Sequence, residues 1–326
     1  MAEAEGTDVG WAIGDTVVDG TLLRPAGPGP FPAAVLVAGS GPTDRDWNSP
    51  LLPGTNGSGR LVAEALAEAG IASLRYDKRA SGPRARQNMG VLYGKVSMAS
   101  HVDEVAGAVR TLAGQDWMRR DRIFAVTNSE GALHALHYQA GDPDLPFAGL
   151  VLTAPPGRPV GVVGRSQLAA QAAAVPDGDA LLALYDAAIA RFVAGEPIAP
   201  DPALPEGVQA LLQSLPSPAN LPFARELWTA DAAPLLERMD IPVLVLIGKR
   251  DVQVDWQADG TPLQRAAAHL TAAAFAFPEH ANHVLKHEPR PRAALSAADG
   301  LRYNSPEARL DPETLEVILR WLRAQV

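Results

Sequence analysis

The chain has 326 residues, 47% of them apolar, and its 28 basic and 37 acidic side chains give a net charge of −9. That length and apolar share are sufficient for a sizeable globular core, and the acidic balance argues against a nucleic acid or an anionic membrane surface as a partner. With no cysteine, the sequence excludes disulfides, a thiolate nucleophile and cysteine metal ligands.

The amino terminus carries no pattern of export or membrane insertion. Residues 1–10 are acidic and lack the basic and apolar regions of a signal peptide, and no run of about 18 apolar residues follows. We therefore expect a cytoplasmic protein with no membrane partner. The sequence leaves homo-oligomerisation open.

Short apolar runs alternate with helical patterns over the first half of the chain. Residues 16–18 and 21–23 flank Asp19 and Gly20 and predict a β-hairpin that turns at this dipeptide. Continuous apolar runs predict buried strands at residues 33–37, 71–74, 123–126 and 149–152. Apolar residues at helical spacing predict helices at residues 61–69, 98–112 and 132–137.

The alternation fails between residues 155 and 235. Ala-rich helical stretches are separated there by Pro-rich joints in residues 197–222, which predicts an inserted helical cap over the strand ends. Strand patterns return at residues 241–247 and 272–277, and a last helix begins at Asp311-Pro312. We therefore predict an α/β fold with a mostly parallel central sheet and helices on both faces, divided into core residues 1–154, cap residues 155–235 and core residues 236–326.

Ser129 lies where the strand predicted at residues 123–126 gives way to a helix. A sharp turn at this point holds a hydroxyl above the sheet edge and directs backbone N–H groups to the same space. Gly131 stands where a side chain would collide with the neighbouring strand. Thr127 replaces the glycine expected two residues before the serine, so the match to G-x-S-x-G is partial. The alternative is that Ser129 only caps the helix that follows.

Asp251 and His283 follow later strands. Asp251 ends the string Gly-Lys-Arg-Asp after the strand predicted at residues 241–247, and His283 lies in the segment after the last strand. The order Ser, Asp, His, with each residue following a strand, is the triad order of α/β-hydrolases. The alternatives on the same segments are Asp255, Asp259, His280 and His287.

Three strings give the chain a resemblance to a known family. They are Ala-Gly-Ser-Gly-Pro-Thr-Asp-Arg-Asp at residues 38–46, Arg-Tyr-Asp-Lys-Arg at residues 75–79 and Asn-His-Val-Leu-Lys at residues 282–286. With these strings the chain resembles bacterial α/β-hydrolases of the serine esterase and peptidase-like group, from about residue 30 to the end and least in the cap. The resemblance implies the α/β-hydrolase fold. Thr127 departs from the family pattern, as does Ala80, where a glycine commonly follows the Asp-Lys-Arg string.

The triad chemistry assigns each candidate residue a role. Ser129 is the nucleophile, His283 is the base that takes its proton, and Asp251 orients the imidazole and stabilises its charged form. The backbone N–H groups of Ser40 and Glu130 are the expected oxyanion donors. The expected partner is a small-molecule acyl substrate, namely a carboxylic ester, a lactone or a related compound cleaved through an acyl-enzyme, with no cofactor and no metal.

Other interpretations remain open at this stage. An amidase, a thioesterase or an acyltransferase would use the same triad, and Thr127 favours a non-catalytic binding protein that kept the fold. The charged residues in 44–46 and 77–79 are interpreted as ion pairs that hold loops, with substrate contact as the alternative. His134 and His137 have a spacing that suits a metal, but no nearby carboxylate completes a site. Five apolar cap residues either line the pocket or form the cap's own core: Leu168, Leu184, Phe223, Leu227 and Trp228.

Overall fold

The computed structural model describes residues 4–173, 175–305 and 308–326. Residues 1–3, with which the predicted core begins, lie outside the described residues, as do residues 174, 306 and 307. One eight-stranded sheet runs through the described part in the order β1-β2-β4-β3-β5-β6-β7-β8. The strands are β1 (Glu5–Ile13), β2 (Thr16–Arg24), β3 (Phe31–Val37), β4 (Ala72–Tyr76), β5 (Met118–Asn128), β6 (Gly149–Thr153), β7 (Val243–Leu246) and β8 (Ala273–Ala276).

Helices fill most of the connections between these strands. They are α1 (Ser58–Glu68), α2 (Ala85–Leu92), α3 (Met98–Ala113), α4 (Gly131–Ala140), α5 (Val160–Ala172), α6 (Gly178–Val193), α7 (Glu206–Ser214), α8 (Phe223–Thr229), α9 (Ala232–Leu236), α10 (Gly260–Ala266) and α11 (Pro312–Arg323). Short 3₁₀ helices lie at Ala267–His269, Arg292–Ala294 and Ala297–Arg302. In the part of the chain that the structure describes, no helix has the length and apolar character needed to cross a bilayer.

All pairings among β3 to β8 are parallel, and the two antiparallel pairings are β1 with β2 and β2 with β4. In β3, Ala33, Val35 and Val37 pack in the apolar cluster that contains residues of α3, α4, α9 and α10. The alternate residues Ala34 and Leu36 pack in the cluster that contains residues of α1 and α11. A strand buried on both faces therefore carries apolar residues at every position. The predicted mostly parallel sheet with helices on both faces is confirmed.

The hairpin predicted at Asp19-Gly20 is wrong, because Thr16–Arg24 forms one continuous strand. The chain turns five residues earlier, at Gly14 and Asp15, where β1 passes into β2. Gly20 serves a different purpose inside β2. A Cβ at this position would lie 2.9 Å from the carbonyl oxygen of Arg75 in β4, so glycine allows close approach of the two backbones.

The segment between β6 and β7 has an apolar cluster of its own. It is built on α6, α7 and their neighbours, with Tyr185, Phe192 and Leu212 buried in it and Leu168, Leu184 and Trp228 packed against it. Of the five apolar residues proposed for this segment, these last three therefore join its own core. Leu227 packs instead against the main core, together with the residues of α9. Helix α9 lies at the end of the predicted cap, yet its residues Ala232, Leu235 and Leu236 are buried in the main core.

Replacing Gly20 with alanine should lower the free energy of unfolding by about 1–3 kcal/mol, because the added methyl group overpacks the β2–β4 contact. The matched control is Gly6→Ala in exposed β1, where the nearest atom to a new Cβ is Leu23 Cδ1 at 3.9 Å. Gly6→Ala should be neutral or slightly stabilising. Urea denaturation measures both variants, and equal effects at the two positions would contradict the close-approach explanation.

Candidate active site

Ser129 occupies a sharp turn between β5 and α4. Its φ is +53°, in the left-handed region that non-glycine residues rarely adopt, and its N–H donates to the carbonyl oxygen of Thr153 at 2.8 Å. Such a conformation costs on the order of 1–3 kcal/mol and persists only where the surrounding structure imposes it. Gly131 makes the turn possible, because a Cβ there would lie 2.5 Å from the carbonyl oxygen of Val37. The collision predicted for a side chain at Gly131 is thereby confirmed.

Thr127 lies in β5, two residues before this turn, and is fully buried. Its hydroxyl donates to the carbonyl oxygen of Val151 at 3.3 Å, and its own carbonyl oxygen accepts from the Thr153 hydroxyl at 2.5 Å. The threonine side chain is therefore accommodated by β6. The absence of the usual glycine leaves the left-handed turn at Ser129 in place.

The imidazole of His283 is hydrogen-bonded to the carboxylate of Asp251. His283 Nδ1 lies 2.8 Å from Asp251 Oδ2, and both side chains are buried. The other oxygen of Asp251 accepts from the backbone N–H groups of Gln253 at 2.7 Å and Val254 at 3.0 Å. This carboxylate favours the tautomer that carries its proton on Nδ1, which leaves Nε2 free to accept a proton.

The alternative aspartates on this loop have other partners. Asp255 accepts from the backbone N–H groups of Gln257 and Ala258, at 2.9 and 2.8 Å. Asp259 forms an ion pair with Arg158 at 2.9 Å, which joins the α10 segment to the chain that follows β6. Of the three, Asp251 is the one that contacts His283.

The alternative histidines form no hydrogen bond or ion pair with Asp251 in the described part of the chain, where His283 is its histidine partner. The rings of His280 and His287 are 4.9 Å apart, and Nδ1 of His287 lies 2.9 Å from the carboxylate of Asp311. Asp311 in turn caps α11 through the N–H of Thr314 at 2.9 Å. These contacts give both histidines a place in the packing of the carboxyl-terminal helix.

Several polar contacts hold the His283 loop against the serine turn. Asn128 Nδ2 donates to the carbonyl oxygen of His283 at 2.9 Å, directly linking the residue before Ser129 to the histidine. The Ser58 hydroxyl donates to the carbonyl oxygen of Val284 at 2.6 Å, and Asn282 Oδ1 accepts from the N–H groups of Val284 and Lys286. Sequence reasoning missed Asn128 and Ser58, because the contacts join residues more than 150 positions apart.

Ser129 and His283 line two adjoining cavities, which also share Ser40 and Gln253. The first has a volume of about 210 Å³ and extends to α5, where Val160 and Val163 line it. The second has a volume of about 150 Å³ and extends to Trp47, Asn56 and Tyr303. The serine and histidine therefore face space on both sides where two parts of a small molecule can lie.

Ser40 and Glu130 lie close to the serine. Both line the larger cavity, and Gly39 approaches the turn so closely that a Cβ on it would lie 3.3 Å from Ser129 Cβ. Within residues 4–173, 175–305 and 308–326, neither the Ser40 nor the Glu130 N–H donates to a protein acceptor. The two residues predicted to supply the oxyanion donors thus line the cavity, and their N–H groups have hydrogen-bonding capacity to spare.

The charged strings near this edge hold loops through ion pairs. Arg45 pairs with Asp77 at 2.8 Å and Arg75 pairs with Asp46 at 2.7 Å, which joins the loop after β3 to the end of β4. Asp44 accepts from the backbone N–H groups of Asp46 and Asn48, both at 2.9 Å. The interpretation of these strings as loop-holding charges is confirmed.

A cluster of buried ionisable groups lies behind the serine turn. Lys78 Nζ lies 2.9 Å from Glu130 Oε1, and Arg79 Nε lies 3.0 Å from Glu104 Oε1. The rings of His101 and His134 stack between the two pairs with their centroids 4.6 Å apart. His134, considered above for its spacing to His137, therefore packs within this cluster.

Burial and neighbouring charges shift two pKa values in this cluster. Burial lowers the pKa of His134 well below its ordinary value, and the charges of His101 and Lys78 add to this effect. Burial alone would raise the pKa of Glu104, but the charges and hydrogen bonds of His101 and Arg79 lower it overall. The folded protein therefore favours a neutral His134 and a charged Glu104.

Comparison with known proteins agrees with this architecture. A sequence model described as the alpha/beta hydrolase family matches residues 34–298. The chain is 29% identical over 238 residues to Esterase EstD of Thermotoga maritima, covering 72% of this chain and 50% of that protein, so it spans half the length of this relative. Among solved structures, the Pyrococcus furiosus esterase Pf2001 has a TM-score of 0.56 at 16% identity, covering 99% of this chain and 91% of that one. Est1E from Butyrivibrio proteoclasticus has a TM-score of 0.55 at 13% identity, covering 98% of each chain.

The lowered pKa values predict that the protein loses stability as the pH falls. His134 takes up a proton near pH 6.5 in the unfolded chain but only at lower pH in the folded protein, so the free energy of unfolding should decrease as the pH falls below about 6.5. Glu104 contributes stability above pH 4.5, and this contribution is lost as the pH falls through its lower folded-state pKa. Urea denaturation between pH 8 and about pH 4 measures the effect. His134→Phe, which retains a ring in the stack, should reduce the decline between pH 7 and 5, and an unchanged decline would rule out His134 as its source.

Proposed function

The chain belongs to the α/β-hydrolase family, and we propose that it is a serine hydrolase that cleaves a small carboxylic ester, a lactone or a related acyl compound. The observation that carries this proposal is the pairing of His283 with Asp251 at a cavity that Ser129 also lines. A serine hydroxyl is a weak nucleophile until a neighbouring base takes its proton, and this arrangement provides the base and the group that orients it.

In the proposed mechanism, Ser129 Oγ attacks the acyl carbon while His283 Nε2 accepts the hydroxyl proton. Asp251 stabilises the imidazolium, and the negative oxygen of the tetrahedral intermediate accepts hydrogen bonds from the N–H groups of Ser40 and Glu130. The imidazolium then protonates the leaving alcohol as the carbon–oxygen bond breaks, which leaves an acyl group on Ser129. A water molecule, deprotonated by His283, hydrolyses the acyl-enzyme by the same steps.

The cavities support a small substrate. Their volumes of about 210 and 150 Å³ each lie below the range of about 300–1,000 Å³ that is typical of pockets for drug-sized ligands, and together they reach only its lower end. Val160, Val163 and Val254 contribute apolar surface to one cavity, which Gln167 and Gln253 also line. Asn56 and Asn304 line the other. We propose that the two cavities hold the acyl and alcohol parts of one compact ester, and that helix α5 of the predicted cap bounds one of them.

The names of the relatives support an ester among the acyl substrates, because EstD, Pf2001 and Est1E are each described as an esterase or by an esterase-type name. Fold and triad do not select the leaving group, so an amidase, thioesterase or acyltransferase is the alternative enzyme. The alternative from another class is a non-catalytic binding protein. It loses its main support because Thr127 leaves the turn at Ser129 intact.

Replacing Ser129 with alanine should abolish hydrolysis of p-nitrophenyl acetate and butyrate, because the variant lacks the proposed nucleophile. A fluorophosphonate probe should label Ser129 in the folded wild-type protein and should fail to label the variant or the heat-denatured protein. The control is Ser214→Ala, which removes a serine hydroxyl at the exposed end of α7. Full activity of Ser129→Ala, or a wild-type protein that neither hydrolyses these esters nor reacts with the probe, would refute the proposed mechanism.

Replacing Asp251 with asparagine should lower kcat by roughly three to four orders of magnitude, because the amide favours the wrong imidazole tautomer and cannot stabilise the imidazolium. Asp255→Asn is the matched control on the same loop, since its side-chain oxygen can still accept the two backbone hydrogen bonds of the turn. Steady-state kinetics on p-nitrophenyl butyrate compare the two. Similar losses from both substitutions would show that Asp251 acts only through the loop structure.

A further inference from the structure

We propose that Lys78 is a positioning residue for both oxyanion donors. It holds the Gly39–Ser40 peptide and the turn at Glu130 in a fixed position relative to each other. This inference rests on the proposed serine-hydrolase function. Lys78 follows β4, which neighbours β3, and β3 neighbours β5. Its side chain therefore extends across the end of β3 to the end of β5, where the two proposed donors lie.

The first contact is with the peptide group that supplies the Ser40 N–H. Lys78 Nζ donates to the carbonyl oxygen of Gly39, which belongs to the same planar peptide unit as the N–H of Ser40. The Thr43 hydroxyl donates to this carbonyl oxygen as well, at 3.0 Å. Because the peptide is planar, fixing its oxygen also fixes the direction of its N–H. A cation at the oxygen further polarises the unit, which makes the N–H a stronger donor to a developing oxyanion.

The second contact is with the residue that supplies the other N–H. Lys78 Nζ pairs with Glu130 Oε1 at 2.9 Å, and the side chains of Lys78 and Glu130 are only 4% and 3% exposed. The carboxylate thus anchors the residue directly after Ser129 from behind the turn. One ammonium group therefore connects the two segments whose N–H groups must converge on a single oxygen atom.

The chemistry of the ammonium group suits this task. Its three protons have three acceptors in reach, namely the carbonyl oxygens of Gly39 and Gly41, the latter at 3.4 Å, and the carboxylate of Glu130. Charge-assisted hydrogen bonds in a buried site are shorter and stronger than neutral ones, so they tolerate less displacement of the atoms they join. The pair is neutral overall, and Lys78 is absent from the lining of the cavity that Ser129, His283 and Glu130 share. We therefore expect Lys78 to act on the transition state through the two amides, without contacting the substrate.

The decisive variant is the double substitution Lys78→Met with Glu130→Gln, which removes both charges and leaves no unpaired ion in the interior. Removal of a single oxyanion donor costs about 10²–10³ in kcat, and misplaced donors should cost less. We expect kcat to fall roughly 10- to 100-fold while KM stays within about threefold. Affinity for butylboronic acid, which forms a tetrahedral adduct with an active serine, should fall by the same factor as kcat.

Lys78→Met alone provides a second measurement, because it leaves Glu130 buried without its cation. Its thermal midpoint should fall below that of the double variant, while both show the loss in kcat. The matched control is Lys249→Met, which breaks a lysine–glutamate pair with Glu279 at 2.9 Å at the same end of the sheet but contacts neither donor. Its kcat and boronic acid affinity should stay within about twofold of wild type.

The outcomes separate this inference from the function on which it rests. A wild-type protein that hydrolyses no ester and does not react with a fluorophosphonate overturns the function and the role of Lys78 together. An active wild-type protein whose folded double variant keeps kcat and boronic acid affinity within twofold overturns the role of Lys78 alone. A rise in KM without a fall in kcat also overturns it, because that result would place Lys78 in substrate binding.

Discussion

Close contacts between main-chain segments at the carboxyl edge of the sheet determine where the candidate groups lie. Gly131 brings α4 against β3, with the carbonyl oxygen of Val37 only 2.5 Å from where a Cβ would stand. Gly248 similarly brings the Asp251 loop against the carbonyl oxygen of Ala281 in the His283 loop. Because no side chain fits at either contact without moving the backbone, the spacing of these segments is fixed by the packing itself. The hydrogen bond between His283 and Asp251 depends on that spacing.

Buried charges add a second layer of constraint behind the turn. Lys78 and Arg79 follow β4, and each pairs with a glutamate, Glu130 at the serine turn and Glu104 in α3. Burying such pairs contributes little net stability, but removing one partner leaves an uncompensated charge and is strongly destabilising. The pairs therefore contribute more to fixing one arrangement of these segments than to the free energy of unfolding. This is the property required of groups that keep main-chain donors aligned.

Much of the architecture was predictable from the sequence, because buried parallel strands carry continuous apolar runs and amphipathic helices carry a clear period. The helix at residues 98–112 and the strand at residues 33–37 illustrate this, since α3 spans Met98–Ala113 and β3 spans Phe31–Val37. The hairpin at Asp19-Gly20 was wrong because a glycine needed for close approach inside a strand resembles a turn glycine. Helices α2 and α10 gave no sufficient periodic pattern and were not predicted.

In the candidate site, too, some residues were predictable from the sequence and others were not. Ser129, Asp251 and His283 were recognisable because each follows a strand, and the ends of parallel strands meet at one edge. Asn128 and Lys78 were not, because their roles arise from contacts with Gly39, Glu130 and the His283 loop that no local pattern encodes.

The walls of the two cavities are formed by parts of the chain in which the apolar sequence patterns of helices and strands are weakest. Helix α5 bounds one cavity, and the loop around Asn56 together with the segment at Tyr303 bounds the other. The groups proposed to perform the chemistry belong to strand ends, where burial on both faces restricts the residues that fit. Residues in the walls are subject to no such restriction, because they need only fill the surface that meets a substrate. Substrate choice can therefore change through the walls while the sheet edge keeps its geometry, which is why the reaction class is easier to infer here than the substrate.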